Sequence, residues 1–329
     1  MGKLIDGVWR KEAFAPETEG GRFVRPDSPF RNWVSRDGQT GFPAEAGRYH
    51  LYVSLACPWA HRTLILRKLK GLEAAITLSV VDPIMTDEGW HFSRERGCIP
   101  DTVNGCDYLR EVYVQGDPHY TGRVTVPLLW DKASGTAVSN ESADIIRMLN
   151  REFDEVAVHP ERDFYPEDLR EEIDAVNAWV YDAINNGVYK TGFAQTQAAY
   201  EEAYDALFAA LDRVEERLAG HRFLVGSRLT EADWRLFTTL VRFDPVYVGH
   251  FKCNRQRIRD FLNLGNYLRD LYQVPGVAET VDLDHIKHHY YGSHPGINPT
   301  GIVPKGPRLD YTDPHDRDRF PREGPLAGT

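Results

Sequence analysis

Residues 49–62 have the sequence YHLYVSLACPWAHR, and this stretch decides the fold. The apolar run 49–56 predicts a buried strand, and residues 58–70 predict a helix with a basic end. Proline suits the first turn of a helix, because it lacks the N–H that would go unbonded there. A strand that ends in Cys57-Pro58 and leads into a helix therefore places the Cys57 thiol at a helix N-terminus.

The position of Cys57 favours a reactive thiol. Free backbone amides and the helix dipole stabilise an anion at a helix N-terminus, so we expect a pKa below the free-thiol value of about 8.5. Each unit by which the pKa falls favours the thiolate by about 1.4 kcal/mol. Residue 60, where a Cys-x-x-Cys motif would have its second thiol, is alanine, so an external thiol must resolve any disulfide formed by Cys57. The alternative is a buried structural cysteine. Cys98, Cys106 and Cys253 have no metal-type or redox-type spacing, and we interpret them as structural or incidental.

The elements that follow predict a thioredoxin-like order. A second strand at 76–81 completes a right-handed βαβ unit. Residues 82–122 form a long insertion, and such insertions are often functional. Strands at 126–131 and 136–138 precede a helix that starts near Ser142 and runs through Leu149. Pro127 is unusual at the start of a strand, and a cis bond between Val126 and Pro127 would explain it.

The rest of the chain predicts a second, helical domain. Thr230-Glu231-Ala232-Asp233 has the pattern of a capping box, and apolar residues at helical spacing predict further helices at 168–186, 198–219 and 256–272. The fold class is thus an α/β thioredoxin-like N-terminal domain followed by an all-α C-terminal domain. The predicted boundaries are an irregular arm at 1–48, the thioredoxin-like domain at 49–152, a linker at 153–167, the all-helical domain at 168–289 and a coil tail at 290–329.

Composition excludes several classes of protein. The 329 residues carry a net charge of −10 without a basic block, so nucleic acid is not an expected partner. No apolar run approaches the roughly 20 residues that span a bilayer, and the first residues lack the apolar core of a signal peptide. Four cysteines without paired spacing fit a reducing compartment. We expect a cytoplasmic protein that does not associate with membranes.

Several short motifs together resemble one family. Cys57-Pro58-Trp59-Ala60-His61-Arg62, the segment 123–127, Glu141-Ser142 and Tyr290-Tyr291-Gly292 are similar to motifs of the glutathionyl-hydroquinone reductases, the Xi class of the glutathione transferases. The Thr230–Asp233 box resembles the capping motif of the second domain of that superfamily. The resemblance covers nearly the whole chain, including the arm, the insertion and the tail.

The resemblance implies that the chain uses glutathione to reduce glutathionyl-hydroquinones and releases glutathione disulfide. It implies a homodimer, with glutathione as co-substrate, no tightly bound cofactor and no metal. It makes Cys57 the nucleophile and Tyr189 a proton donor or acceptor, with Tyr247 and Tyr290 lowering the pKa of the thiol. Whether Tyr290 or Tyr291 faces the site stays open. The residues that it implies hold glutathione are Trp90, Arg123, Val124, Thr125, Val126, Glu141 and Ser142.

Physical chemistry supports the glutathione contacts. The backbone at Val126 can pair with an extended tripeptide as an added strand. A helix N-terminus at Glu141-Ser142 favours a carboxylate, and the Glu141 side chain can take an α-ammonium. The Arg123 guanidinium can donate two parallel hydrogen bonds to a carboxylate. The simpler interpretations are helix capping for Glu141-Ser142 and a solvated loop charge for Arg123.

Three other functions stay open. An omega-like thioltransferase or dehydroascorbate reductase would also use Cys57 and glutathione. A conjugating transferase needs a hydroxyl that activates glutathione, whereas a cysteine forms a mixed disulfide. A non-catalytic transferase-like scaffold would not need Cys57, Arg123, Glu141 and Ser142 together.

The histidine-rich segment 285–289, followed by His294, could place imidazoles on one helical face as in a zinc site. We favour hydrogen bonding beside Tyr290 or a surface position instead. His61 could tune the Cys57 thiolate, cap the helix or face solvent.

Overall fold

A computed structural model describes residues 2–11 and 18–326 of the chain. The chain divides into two compact units. Within the described residues, the first unit comprises 2–11, Asp27–Pro160 and Thr280–Val303, and the second comprises 18–26, Glu161–Glu279 and 304–326. Residue 1 and residues 12–17 of the predicted arm, and residues 327–329 of the predicted tail, lie outside the described part.

The strands are β1 Lys3–Ile5, β2 Val8–Arg10, β3 Thr18–Glu19, β4 Arg22–Phe23, β5 Tyr49–Val53, β6 Ile76–Val80, β7 Leu128–Asp131 and β8 Thr136–Ser139. The α-helices are α1 Pro58–Leu69, α2 Leu109–Gly116, α3 Ser142–Arg151, α4 Arg170–Val180, α5 Gly187–Gly192, α6 Gln197–Gly220, α7 Glu231–Arg242, α8 Leu262–Tyr272 and α9 Leu283–Ser293. Short 3₁₀ turns lie at Asp154–Val156, Glu167–Leu169, Ile258–Asp260, Ala278–Thr280 and Arg317–Arg319, and π-helical turns lie at Tyr181–Asn185 and Phe243–Tyr247. None of the helices in the described residues is long and apolar enough to cross a membrane.

The first unit is built on a four-stranded sheet in the order β6-β5-β7-β8. Strand β5 pairs parallel with β6 and antiparallel with β7, and β7 pairs antiparallel with β8. All five residues of β5 are buried. This is the predicted thioredoxin-like sheet with the predicted βαβ unit. Because of the strand directions, the carboxyl ends of β5 and β8 lie at the same edge of the sheet as the start of β7.

Two of the predicted strands are shorter than expected by two or more residues. Strand β5 ends at Val53 rather than at residue 56, because the chain turns there, and the N–H of Cys57 donates to the carbonyl of Ser54 (3.1 Å). Strand β7 begins at Leu128, after the proline, rather than at residue 126. The bond between Val126 and Pro127 is cis, as predicted.

Two buried polar groups matter for the stability of the first unit. The ring of His50 lies in the sheet, with Nδ1 at 2.6 Å from the hydroxyl of Thr77 and Nε2 at 2.9 Å from that of Ser79. Burial lowers the pKa of His50 to about 4. Lys70, at the end of α1, is fully buried, and its ammonium donates to Asp154 (2.8 Å) and to the carbonyl of Pro160 (3.2 Å).

The second unit is helical, as predicted, and its helix α7 begins with the expected capping box. The hydroxyl of Thr230 and the carboxylate of Asp233 bond each other's backbone N–H groups. The predicted helix 168–186 is α4 followed by a π-helical turn. The predicted helix 256–272 begins only at Leu262, because the Asp244 carboxylate holds residues 258–260 in a 3₁₀ turn by accepting from the N–H of Ile258 (2.7 Å).

Proline explains the irregular end of α7. Pro245 has no N–H to donate to the carbonyl of Val241, four residues earlier, and the helix widens into the π-helical turn Phe243–Tyr247. The hydroxyl of Tyr311 donates to that same carbonyl (3.2 Å). A residue from the tail thus replaces the missing backbone donor.

The division of the chain differs from the predicted boundaries at its two ends. Residues 18–26 of the arm form the β3–β4 hairpin and group with the second unit, whereas residues 27–48 group with the first. Residues 280–289, predicted in the helical domain, also group with the first unit. Helix α9 continues to Ser293, beyond the predicted start of the tail at 290, and it hydrogen-bonds to the insertion at 82–122.

Candidate active site

Cys57 is the N-cap of α1, the position that the sequence predicts. Its backbone is extended (φ −77°, ψ 122°), its carbonyl accepts from the N–H of His61 (3.0 Å), and Pro58 opens the helix. The thiol lies 3.4 Å from the carbonyl oxygen of Val126. Cys57 therefore stands where helix amides favour a thiolate.

Cys57 differs from the other cysteines in exposure. It is half-buried, whereas Cys98, Cys106 and Cys253 are buried, and none of these four residues, all within the described chain, forms a disulfide. Burial raises the pKa of each of the three other thiols, to about 12 for Cys106. Cys57 alone among them combines partial exposure with a helix N-terminus.

The segment 123–126 is held by its own carbonyl and amide groups. The hydroxyl of Tyr120 donates to the carbonyl of Arg123 (2.8 Å), and that of Tyr113 donates to the carbonyl of Thr125 (2.7 Å). The amide of Asn140 donates to the hydroxyl of Thr125 (3.3 Å). These bonds tie the predicted glutathione-binding backbone to the residue that precedes Glu141.

Glu141 and Ser142 begin helix α3. Glu141 is the N-cap, and its Oε1 accepts from the N–H of Ala143 (2.9 Å), so the helix-capping role is present. Its other oxygen, Oε2, accepts from the hydroxyl of Ser28 (3.1 Å). Sequence reasoning missed Ser28, which belongs to the arm and has no pattern of its own.

A buried arginine connects the N-terminal ends of α1 and α3. The guanidinium of Arg62 is 2% exposed, donates to the hydroxyl of Ser142 (3.4 Å) and lies 4.5 Å from the ring of Trp59. This places a permanent positive charge between two helix N-termini. The sequence motif contained Arg62 but gave it no role.

The topology explains why these residues come together. Cys57 follows β5, Val126 precedes β7, and Glu141 follows β8. Since the ends of β5 and β8 and the start of β7 share one edge of the sheet, Cys57 and Val126, 69 positions apart along the chain, meet at the edge where β8 leads into Glu141.

Trp90 and Tyr290 also lie in the first unit, on the insertion and on α9. The indole of Trp90 is 6% exposed and stacks on the ring of His289, with centroids 4.8 Å apart and planes at 24°. Tyr290 is buried and contacts the rings of His289 and His294 edge-on. Tyr291 is half-buried, and its carbonyl accepts from the Asn298 amide (2.7 Å).

Tyr189 and Tyr247 lie in the second unit, where their rings are 6.2 Å apart. Tyr189 is on α5 and Tyr247 ends the π-helical turn that Pro245 causes. The guanidinium of Arg25 lies 4.8 Å from the Tyr189 ring and donates to the Asn186 side chain (2.6 Å). Arg25 is a second arm residue that the sequence did not single out.

The histidines of α9 are not arranged for metal binding. In the described residues, no group of three or more His, Cys, Asp or Glu side chains could hold a metal ion. His285 donates from Nε2 to the carbonyl of Arg96, and His289 donates from Nδ1 to that of Pro83 (2.9 Å). His285 and His289 thus each hydrogen-bond to a backbone carbonyl of residues 83–96. His61, also buried, bonds the hydroxyl of Thr280 (2.8 Å).

The fold and the site define a class of protein. A thioredoxin-like unit with a cysteine at the N-terminus of its first helix, accompanied by a helical unit, is the organisation of a glutathione transferase. Residues 56–152 match the family model for the N-terminal domain of glutathione S-transferases, and residues 197–272 match that for the C-terminal domain.

Two relatives of known sequence indicate a particular class within the glutathione transferases. The chain is 56% identical over 325 residues to the glutathionyl-hydroquinone reductase YqjG of Escherichia coli, covering 97% of this chain and 99% of the relative. It is 55% identical to the glutathionyl-hydroquinone reductase PcpF of Sphingobium chlorophenolicum, covering 93% of this chain and 96% of that one.

Solved structures agree. A Xi-class glutathione transferase from Natrialba magadii is 54% identical, with a TM-score of 0.92 over 98% of both chains. The glutathione-bound structure of YqjG is 55% identical, with a TM-score of 0.89 over 96% of this chain and 100% of that one. The chain belongs to the glutathionyl-hydroquinone reductases, the Xi class of the glutathione transferase superfamily.

Proposed function

We propose that this protein reduces glutathionyl-hydroquinones to hydroquinones, consumes one glutathione and releases glutathione disulfide. The observation that carries the proposal is the half-buried Cys57 at the N-terminus of α1, 3.4 Å from the carbonyl of Val126. The identity of more than half of the residues with two named glutathionyl-hydroquinone reductases supports it.

The first half-reaction forms a mixed disulfide. The Cys57 thiolate attacks the glutathionyl sulfur of the substrate, an S–S bond forms, and the bond from sulfur to the aromatic carbon breaks. The electron pair of the broken bond stays with the ring, so the ring carbon must take a proton, or the ring must first tautomerise to a ketone. Tyr189 is proposed to move that proton and to stabilise charge on the hydroquinone oxygen.

The second half-reaction restores the enzyme. A second glutathione attacks the mixed disulfide, glutathione disulfide leaves, and Cys57 returns as a thiolate. Residue 60 is alanine and the other three cysteines are buried, so an external thiol fits this step. Tyr247 and Tyr290 are proposed to lower the pKa of the Cys57 thiol, a role that rests on the family resemblance.

Glutathione is the co-substrate in this scheme. The backbone at Val126 is proposed to pair with its cysteinyl unit, and the N-terminus of α3 at Glu141 and Ser142 to hold its γ-glutamyl end. Arg123 is proposed to bind a carboxylate. Val124, Thr125 and Trp90 complete the set of residues that we propose to hold glutathione.

Substrate preference tests the proposal. Turnover of a glutathionyl-hydroquinone with glutathione should exceed, by at least an order of magnitude in kcat/KM, turnover of dehydroascorbate or of a small glutathione mixed disulfide. Cys57→Ala should abolish it, and Cys106→Ala, a change at a buried thiol, should leave it in place. Preference for dehydroascorbate or mixed disulfides would instead indicate an omega-like thioltransferase.

We also propose a cytoplasmic homodimer. A chain with a half-buried reactive thiol and no disulfide fits a reducing compartment, and the dimer follows from the family. Light scattering coupled to size exclusion should give twice the 37.5 kDa chain mass, and a monomer mass would refute the dimer.

A further inference from the structure

Helix α9 anchors the insertion that carries Trp90. Each contact comes from a polar side chain of α9 and reaches the insertion backbone or a charged side chain on it. His289 Nδ1 donates to the carbonyl of Pro83 (2.9 Å), and Ser293 Oγ accepts from the N–H of Met85 (2.9 Å). His285 Nε2 donates to the carbonyl of Arg96, and the Asp284 carboxylate pairs with the Arg96 guanidinium (3.2 Å). Helix α9 thus holds the insertion at Pro83, Met85 and Arg96.

His289 has a second contact that the others lack. Its ring lies 4.8 Å from the ring of Trp90 at an interplanar angle of 24°, and both side chains are buried, at 8% and 6% exposure. The N–H of an imidazole lies in the ring plane, so the bond from Nδ1 to the Pro83 carbonyl, together with the attachment of the ring to the backbone of α9, holds the imidazole plane. A fixed imidazole plane in turn fixes the plane of the indole stacked on it.

We propose that His289 is a positioning residue that holds Trp90 in the orientation needed for binding glutathione. The proposal rests on the proposed function, in which Trp90 contacts glutathione. The contacts that carry the proposal join His289 to the Pro83 carbonyl and to the Trp90 ring, so we expect it to act on glutathione affinity and not on the chemical step. Because Tyr290 is the next residue of α9, the same helix aligns the glutathione site and a residue proposed to act on the Cys57 thiol.

Two substitutions separate the two contacts of His289. In His289→Asn the side-chain amide can still donate to Pro83, but the stacking ring is lost. In His289→Phe the ring remains and the donor is lost, while the Ser293 hydroxyl still lies within 3.4 Å of the Pro83 carbonyl. Loss of stacking should raise the Kd for glutathione roughly threefold to tenfold. His289→Phe keeps the stacking ring without the bond that orients it, so its Kd should lie between those of the wild type and His289→Asn.

Calorimetric titration with reduced glutathione, together with the KM for glutathione and kcat, tests this. We expect His289→Asn to raise both Kd and KM while kcat changes less than twofold. His288→Ala is the matched control, since His288 bonds the carbonyl of Asp284 within its own helix (2.9 Å), and it should leave Kd unchanged. Thermal unfolding of each variant shows whether α9 remains folded, and His289→Phe keeps the test valid if His289→Asn does not.

Trp90→Ala distinguishes the two levels of the argument. If Trp90→Ala weakens glutathione binding and His289→Asn does not, the positioning role of His289 is refuted and the proposed function stands. If Trp90→Ala leaves binding unchanged, the place of Trp90 in the proposed site is wrong and the inference falls with it. A fall in kcat for His289→Asn without a change in Kd would also overturn it.

Discussion

Replacing Asp233 with alanine should strongly destabilise the second unit. The carboxylate is fully buried and accepts from the N–H groups of Leu224 and Thr230 (2.8 Å each) and from the hydroxyl of Tyr267 (2.7 Å). It thus joins the N-terminus of α7 to a preceding loop and to α8. In the alanine variant, these three buried donors and the hydroxyl of Thr230, which donates to the same carboxylate (3.1 Å), lose their acceptor.

The size of the effect follows from two opposing contributions. Each unsatisfied buried donor costs about 1–3 kcal/mol. Against this, burial raises the pKa of Asp233 to about 6, so holding its charge at neutral pH costs about 3 kcal/mol, which the variant recovers. The donors outweigh this gain, and we expect a net loss of about 3 kcal/mol. At about 2–4 °C per kcal/mol, Tm should fall by about 6–12 °C.

Chemical denaturation followed by tryptophan fluorescence measures this loss. Asp282→Ala is the matched control, because Asp282 is the N-cap of α9 with a single backbone bond, from His285 (2.8 Å), and should cost about 1 kcal/mol. The native state binds the proton of Asp233 more tightly than the unfolded state, so this contribution to stability is present at low pH and is lost as pH rises through about 6. The cost of Asp233→Ala should therefore be larger at pH 5 than at pH 7. A loss no greater than that of Asp282→Ala would refute the reasoning.

Three further changes have expected outcomes. Because burial lowers the pKa of His50 to about 4, the stability that its neutral ring contributes is present above pH 6.5 and is lost as pH falls through 4, by up to about 3 kcal/mol. In His50→Gln the free energy of unfolding should therefore change less with pH over that range. A pH dependence equal to that of the wild type would contradict this. Asp154→Ala removes the carboxylate that pairs with the buried Lys70 ammonium and should lower the free energy of unfolding by about 3 kcal/mol. Lys70→Met should lower it less, since Asp154 keeps its ion pair with Arg36 (3.0 Å). Equal melting temperatures of the two variants would count against this account. Glu141→Gln should raise the KM for glutathione about tenfold, because an amide pairs poorly with an α-ammonium, and steady-state kinetics showing a fall in kcat alone would argue for a different role.

Local sequence patterns predicted the parts of the structure that local physics determines. Cys57-Pro58 after an apolar run gave a helix N-cap, because a proline in the first turn and a preceding buried strand leave few alternatives. The Thr230–Asp233 box works in the same way, as two residues three apart satisfy each other's N–H groups. The order of strands and helices along the chain, with its βαβ unit, followed because hydrophobic runs and connection lengths limit the topology.

Contacts between distant segments were beyond such patterns. Ser28 meets Glu141 across 113 residues, and His289 meets Pro83 across 206. Such contacts leave no periodic pattern in the sequence, since each of the residues contributes one polar group from a loop or a helix end. For the same reason the sequence could indicate hydrogen bonding near Tyr290 for the histidines of α9, yet could not show that α9 belongs with the first unit.

Irregular helices were also missed. The sequence predicted one helix over 168–186, whereas a π-helical turn interrupts it at Tyr181–Asn185. The turn at Phe243–Tyr247 depends on Pro245, which a sequence pattern can flag, and on Tyr311, which it cannot. The positions of Tyr189 and Tyr247 depend on these two turns.

Trapping the covalent intermediate tests the central role of Cys57 most directly. The enzyme is mixed with a glutathionyl-hydroquinone in the absence of free glutathione, and intact-mass spectrometry and released hydroquinone are measured together. We predict one glutathionyl group on Cys57 for each hydroquinone released, its removal on adding glutathione, and neither product with Cys57→Ser. Hydroquinone release without an adduct on Cys57, or release that persists in Cys57→Ser, would contradict the account.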